Sequence, residues 1–74
     1  MVAIEDVQGR LRSAFPDGDV HVEDTTGAGD HFEVRVRAAA FAGVGLVDQH
    51  RMVYAALGDL MGQIHALSLR TESA

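Results

Sequence analysis

The 74-residue chain has no cysteine, no lysine, one proline and one tyrosine. Without cysteine it can build neither a disulfide nor a thiolate metal site, so any soft-metal chemistry must borrow its sulfur. Six arginines face eleven acidic residues, a net charge of −5. That sign opposes general attraction to phosphate backbones, although a local basic patch is still open. No segment reaches the roughly 18 apolar residues of a membrane span, and Met1 to Asp6 has no basic region followed by an apolar stretch. A cytoplasmic protein without membrane contact is the expectation.

Hydrophobic residues make up 47% of the chain and charged residues 23%, which is ordinary for a globular domain and too apolar for a disordered one. A chain this short has room for one core and buries only about 60% of its unfolded surface. One domain over residues 1–74 is expected.

Ile4, Val7, Leu11 and Phe15 recur at three- and four-residue steps, the spacing of one helical face. Pro16-Asp17-Gly18 stops that helix and turns the chain. From Asp19, Val20 and Val22 alternate with His21 and Glu23, a half-buried strand. Asp24 to Asp30 is small, polar and glycine-rich, hence a flexible loop. Alternation then resumes, with Phe32, Val34 and Val36 on one side and His31, Glu33, Arg35 and Arg37 on the other, so the two strands make a hairpin. Ala38 to Val47 reads as a packed connector. Asp48 caps or opens a second helix with the stripe Val53, Tyr54, Leu57, Leu60 and Met61, and Gly62 is placed to end it. Leu67 and Leu69 alternate with Ala66, Ser68 and Arg70 in a third strand beginning near His65. The order α-β-β-α-β predicts an α+β fold, a three-stranded sheet with both helices on one face. Its expected core includes Val7, Leu11, Val34, Val36, Val53, Leu57, Leu67 and Leu69.

Little in this pattern suggests catalysis. The hydroxyl residues have no neighbouring histidine and orienting acid in a recognisable arrangement, and Asp30-His31 or His21-x-Glu23 arises readily on a solvated strand face. Thr26-Gly27-Ala28-Gly29 carries no P-loop lysine and leads into a strand, so it offers no helix N-terminus to a phosphate. No two glycines are three positions apart, which removes the GxxG clamp of KH-type RNA-binding domains. Four histidines remain. His21 reads as a solvated surface residue and His50 lies on or beside the second helical stripe. His31 opens the second strand and His65 the third; either can bind iron or zinc when neutral.

The second half carries a further signal. Phe41-Ala42-Gly43, then Leu46-Val47-Asp48-Gln49-His50-Arg51-Met52-Val53-Tyr54, then Ile64-His65-Ala66-Leu67-Ser68 with Thr71, resemble the signature blocks of the BolA family. Val22-Glu23-Asp24-Thr25-Thr26 and His31-Phe32-Glu33-Val34 match the family's hairpin, so the resemblance covers nearly the whole chain. It implies a class II KH-like fold and complexes with monothiol glutaredoxins, either apo or bridged by a [2Fe–2S] cluster. In such a bridge the glutaredoxin and bound glutathione supply thiolates, and the BolA partner supplies a histidine at the position of His65. The family's second ligand comes from the hairpin loop. Here that loop has no cysteine or histidine, and His31 is the nearest candidate. Gln49 replaces a typical arginine and Ala38 a usual serine. The chain stops just after the third strand, so the short C-terminal helix of many relatives is expected to be absent or vestigial.

The resemblance therefore implies a non-enzymatic partner of a monothiol glutaredoxin, serving [2Fe–2S] cluster assembly, transfer or iron sensing. The cluster is shared with the glutaredoxin and glutathione, and none is held tightly by this chain alone. The alternative is a KH-like, DNA-binding transcriptional regulator using Arg35, Arg37, His50 and Arg51. A weak homodimer is compatible with either.

Overall fold

A computed structural model describes Met1–Ala74. Its elements are α1 (Ile4–Ala14), β1 (Asp19–Asp24), β2 (His31–Ala38), α2 (Leu46–Leu57) and β3 (Ala66–Ser73), with 3₁₀ turns at Ala39–Phe41 and Gly58–Gln63. The α-β-β-α-β order is the one the periodicities predict. No helix follows β3 among residues 1–74, and no helix is long and apolar enough to cross a membrane.

The strands lie in the order β1-β2-β3, with β1 antiparallel and β3 parallel to β2. A parallel return requires a crossover, and α2 supplies it. Alternation then sorts the sheet. Val22, Phe32, Val34, Val36 and Ala38 are buried, while His21, Glu23, Glu33, Arg35 and Arg37 are exposed, so both helices cover one face and the other is solvated. Val7 and Leu11 of α1, Val53 and Leu57 of α2, and Phe41 from the connector fill the space over the sheet. Phe15 and Phe41 meet at 5.1 Å between ring centres, tilted by 55°, a favourable aromatic geometry. Fully burying one such side chain is worth about 1.5–3 kcal/mol, so these few residues dominate the stability.

Three details depart from the sequence reading. Leu67 and Leu69 point toward the helices but are only half-buried, because β3 is an edge strand with nothing beyond it. The second helix starts at Leu46, with Gly45 as its cap residue, two positions ahead of Asp48, which sits in the first turn. It ends at Gly58 instead of Gly62. Gly58 takes φ 55°, a conformation that favours glycine, and its N–H donates back to the Tyr54 carbonyl. Leu60 remains buried, but on the 3₁₀ turn that follows.

Candidate metal-ligating site

The loop between β1 and β2 is built on one side chain. Asp24 ends β1, and its carboxylate accepts hydrogen bonds from the main-chain N–H groups of Thr26 (3.3 Å), Gly27 (2.9 Å) and Gly29 (3.0 Å). This is the local pairing by which aspartate stabilises turns. The Thr26 hydroxyl donates to the Asp30 carboxylate at 3.1 Å and accepts from the Ala28 N–H at 3.2 Å. Gly29 is buried; its carbonyl accepts from the Val2 N–H at 2.8 Å, which ties the loop to the N-terminal segment. Eight hydrogen bonds, counting those of the Thr25 N–H (3.0 Å) and hydroxyl (3.3 Å) to the His31 carbonyl, define the course of the loop.

This anchored loop delivers His31 to the start of β2. Because β3 is parallel to β2 with His31 opposite Ala66, the residue before Ala66 arrives beside it. The Asp30 carbonyl accepts from the N–H groups of both His65 (2.8 Å) and Ala66 (3.1 Å). The outcome is a stacked pair, with the rings of His31 and His65 5.1 Å apart between centres and inclined by 19°. His31 is half-buried and His65 exposed, so the pair opens to solvent at the loop end of the sheet. No group of three or more metal-ligating side chains exists anywhere in the chain. Chemically, the pair can donate two neutral imidazole nitrogens and no thiolate. It fits part of a site completed by another molecule, and does not fit a self-contained metal centre.

The arginines gather at the opposite end of β2. A hollow of about 580 Å³ is lined by Arg35, Arg37, Arg70, His21, His50 and Thr71, among others. Strand parity puts Thr71 on the helix side and the arginines on the solvated side, so the hollow runs around the sheet instead of forming one enclosed chamber. Arg35, Arg37 and Arg70 thus share the solvated face, whereas His50, on α2, lines the hollow from the helix side, and Arg51 lies outside it and faces Asp48 at 3.6 Å. Asp19 and Glu72 flank Arg37 across the strands and dilute its charge. His50 stands edge-on to Tyr54 one helical turn later, 6.4 Å between centres.

Two residues of these sites escape sequence reasoning. Asp24 was legible only as part of a polar loop, although an aspartate followed by Thr-Thr-Gly has the composition of a side-chain-anchored turn. Arg70 shares the polar parity of β3, but its place beside Arg35 depends on the pairing of β2 with β3.

The order α-β-β-α-β is the one the resemblance implies. The BolA-like protein family profile matches residues 11–74. The chain belongs to the BolA-like family. It is 42% identical to the protein BOLA2 of Arabidopsis thaliana over 71 residues, 95% of this chain and 76% of that protein. It is 32% identical over 79 residues to the DNA-binding transcriptional regulator BolA of Escherichia coli, covering 96% of this chain and 75% of the relative. Among solved structures, a Bol-like protein from Babesia bovis superposes with a TM-score of 0.88 at 32% identity, over 99% of this chain and 86% of that one. The BolA fold follows from that superposition together with the shared element order.

Proposed function

We propose that this BolA-like protein is a non-enzymatic partner of a monothiol glutaredoxin in the cytoplasm, and that the pair shares a [2Fe–2S] cluster for which His65 and His31 are this chain's ligands. The supporting observation is the meeting of those two imidazoles at an open end of the sheet. A chain without cysteine can offer an iron no thiolate, so the thiolates come from the glutaredoxin and from glutathione. Replacing thiolate by imidazole on one iron raises the reduction potential relative to all-thiolate ligation, which suits a cluster that is passed on or used to sense iron. The test is to mix the chain with a monothiol glutaredoxin, glutathione, iron and sulfide and record the visible spectrum. His65→Ala should bleach or shift the absorption while the protein stays folded. An unchanged spectrum in that variant, with the heteromeric complex intact, overturns the ligand role.

A second reading, a DNA-binding regulator, draws on Arg35 and Arg37 sharing the solvated face of the sheet and on the name of the Escherichia coli relative. The net charge of −5 and the flanking carboxylates weigh against it. Phosphate-driven binding must weaken steeply with salt, so a gel shift that is absent at low salt, or insensitive to salt and to Arg35→Ala, disposes of this reading.

A further inference from the structure

β3 has one flank on β2 and nothing on the other. The direction of each main-chain group along it follows from the ladder. The Ala66 N–H donates to the Asp30 carbonyl and the Ala74 N–H to the Ala38 carbonyl, and in a parallel pair the inward-bonding residues alternate. Ala66, Ser68, Arg70 and Glu72 therefore bond toward β2, while Leu67, Leu69, Thr71 and Ser73 point their N–H and C=O groups outward. None of the remaining main-chain or side-chain hydrogen bonds reaches these four residues. The other edge is protected differently. β1 is six residues long and carries Asp19, His21, Glu23 and Asp24, a charge density that discourages strand addition. β3 is eight residues long, with no proline and only two charges, Arg70 and Glu72, of opposite sign.

Two observations point to what covers this edge. Arg70 and Glu72 flank Thr71 on the solvated side of the strand, and neither is in a salt bridge. Large exposed apolar side chains, Leu46 (61% exposed), Val47 (66%) and Tyr54 (40%), lie on α2, the helix that leads into β3, and Leu46 lines the same hollow as Leu69, Thr71 and Glu72.

We infer that β3 is a self-association edge, on which a second copy of this chain adds its own β3 antiparallel about a twofold axis at Thr71. In that register Thr71 faces Thr71 of the second copy in a hydrogen-bonded pair, and Leu69 faces Ser73. Arg70 falls opposite Glu72 of the second copy, twice by symmetry, at the non-hydrogen-bonded positions where side chains approach most closely. Sliding the register by two residues in either direction sets arginine against arginine or glutamate against glutamate, so the charges select this pairing over its neighbours. The two α2 helices then lie on the same face, near the axis, where Leu46 and Val47 lose water. His65 lies outside the paired stretch, which leaves the histidine pair free.

Sedimentation velocity over a concentration series reaching the millimolar range tests this on the full chain. The expected result is a reversible shift toward twice the 7.9 kDa of one chain. Arg70→Glu places like charges opposite each other in both rows and should weaken the dimer by roughly tenfold. The double variant Arg70→Glu with Glu72→Arg should restore it, a rescue that a general loss of folding cannot mimic. Thr71→Pro should also abolish it while the monomer stays folded, because the Thr71 N–H faces outward and proline is tolerated on an edge. A single monomeric species at every concentration overturns the inference, as does a dimer indifferent to Arg70→Glu or one that the charge swap fails to rescue.

Discussion

The N–H of His65 donates to the carbonyl of Asp30 at 2.8 Å, so the strand that carries one imidazole is fastened to the loop that presents the other. The contact is main chain to main chain. It depends on where the loop lies and not on the identity of either side chain, and the loop lies where Asp24 puts it.

Asp24→Ala should therefore separate the two rings without touching either. Three N–H acceptor contacts disappear, two of them on exposed groups that water can satisfy, so the stability loss should be about 1–3 kcal/mol. Cross-relaxation between the His31 and His65 ring protons in the NMR spectrum reads the geometry directly. A ring pair that persists in the alanine variant would show that the sheet alone sets it. Because this measurement needs no iron, it stands whether or not the cluster assignment does.

Gly27 and Gly29 test the same loop from the backbone side. Both have positive φ, 77° and 74°, so alanine is strained at either by about 1 kcal/mol. At Gly27 an added Cβ meets open space, whereas at Gly29 it would come within 2.8 Å of the Val2 carbonyl oxygen. Gly29→Ala should cost at least about 1 kcal/mol more than Gly27→Ala in urea unfolding, since the Val2 contact must also give way. Equal costs would mean that the N-terminal segment moves freely.

Much of this fold was legible because strand parity and helical spacing are local. Phe32, Val34 and Val36 alternate with polar residues and are buried as that alternation requires. What was not legible depends on which strands are neighbours. The alternation of Leu67 and Leu69 gives their face but not their half-burial, which comes from β3 being an edge. His31 and His65 could each be named as a candidate donor from its place at a strand start, but their stacking depends on β3 returning parallel to β2 in the register of His31 with Ala66. Gly58 and Gly62 are equivalent in composition, and only packing decides that the helix stops at the first.

The same edge effect predicts unequal costs for equal truncations. Leu57 is fully buried, and Leu57→Ala should cost about 3–5 kcal/mol, enough to unfold much of a domain this small. Leu69→Ala, on the half-buried edge, should cost about half as much. Denaturant midpoints measure both. Similar losses would indicate that β3 is covered in solution, the outcome that self-association at the measuring concentration produces, so dilution must restore the difference.

The last prediction concerns acid. The guanidinium of Arg10 contacts the Asp59 carboxylate at 2.9 Å and also donates to the Leu57 carbonyl at 3.1 Å, linking α1 to the end of α2. Its hydrogen bond and charge hold the Asp59 carboxyl below the ordinary 3.8. A carboxyl whose folded pKa is lower than its unfolded one binds fewer protons when folded. Its contribution to stability is therefore complete above about 3.8 and is lost as pH falls from there through the folded value. Both side chains are substantially exposed, so solvent and salt screen the pair and the loss is small. The direction is nonetheless testable residue by residue. Carbon-detected NMR titration of the Asp59 carboxyl should give a midpoint below 3.8 in the native chain and a return toward it in Arg10→Ala. Added salt should move the native midpoint the same way. An Asp59 midpoint unchanged by removal of the guanidinium would mean that the ion pair does not persist in solution, and that the Leu57 carbonyl alone positions Arg10.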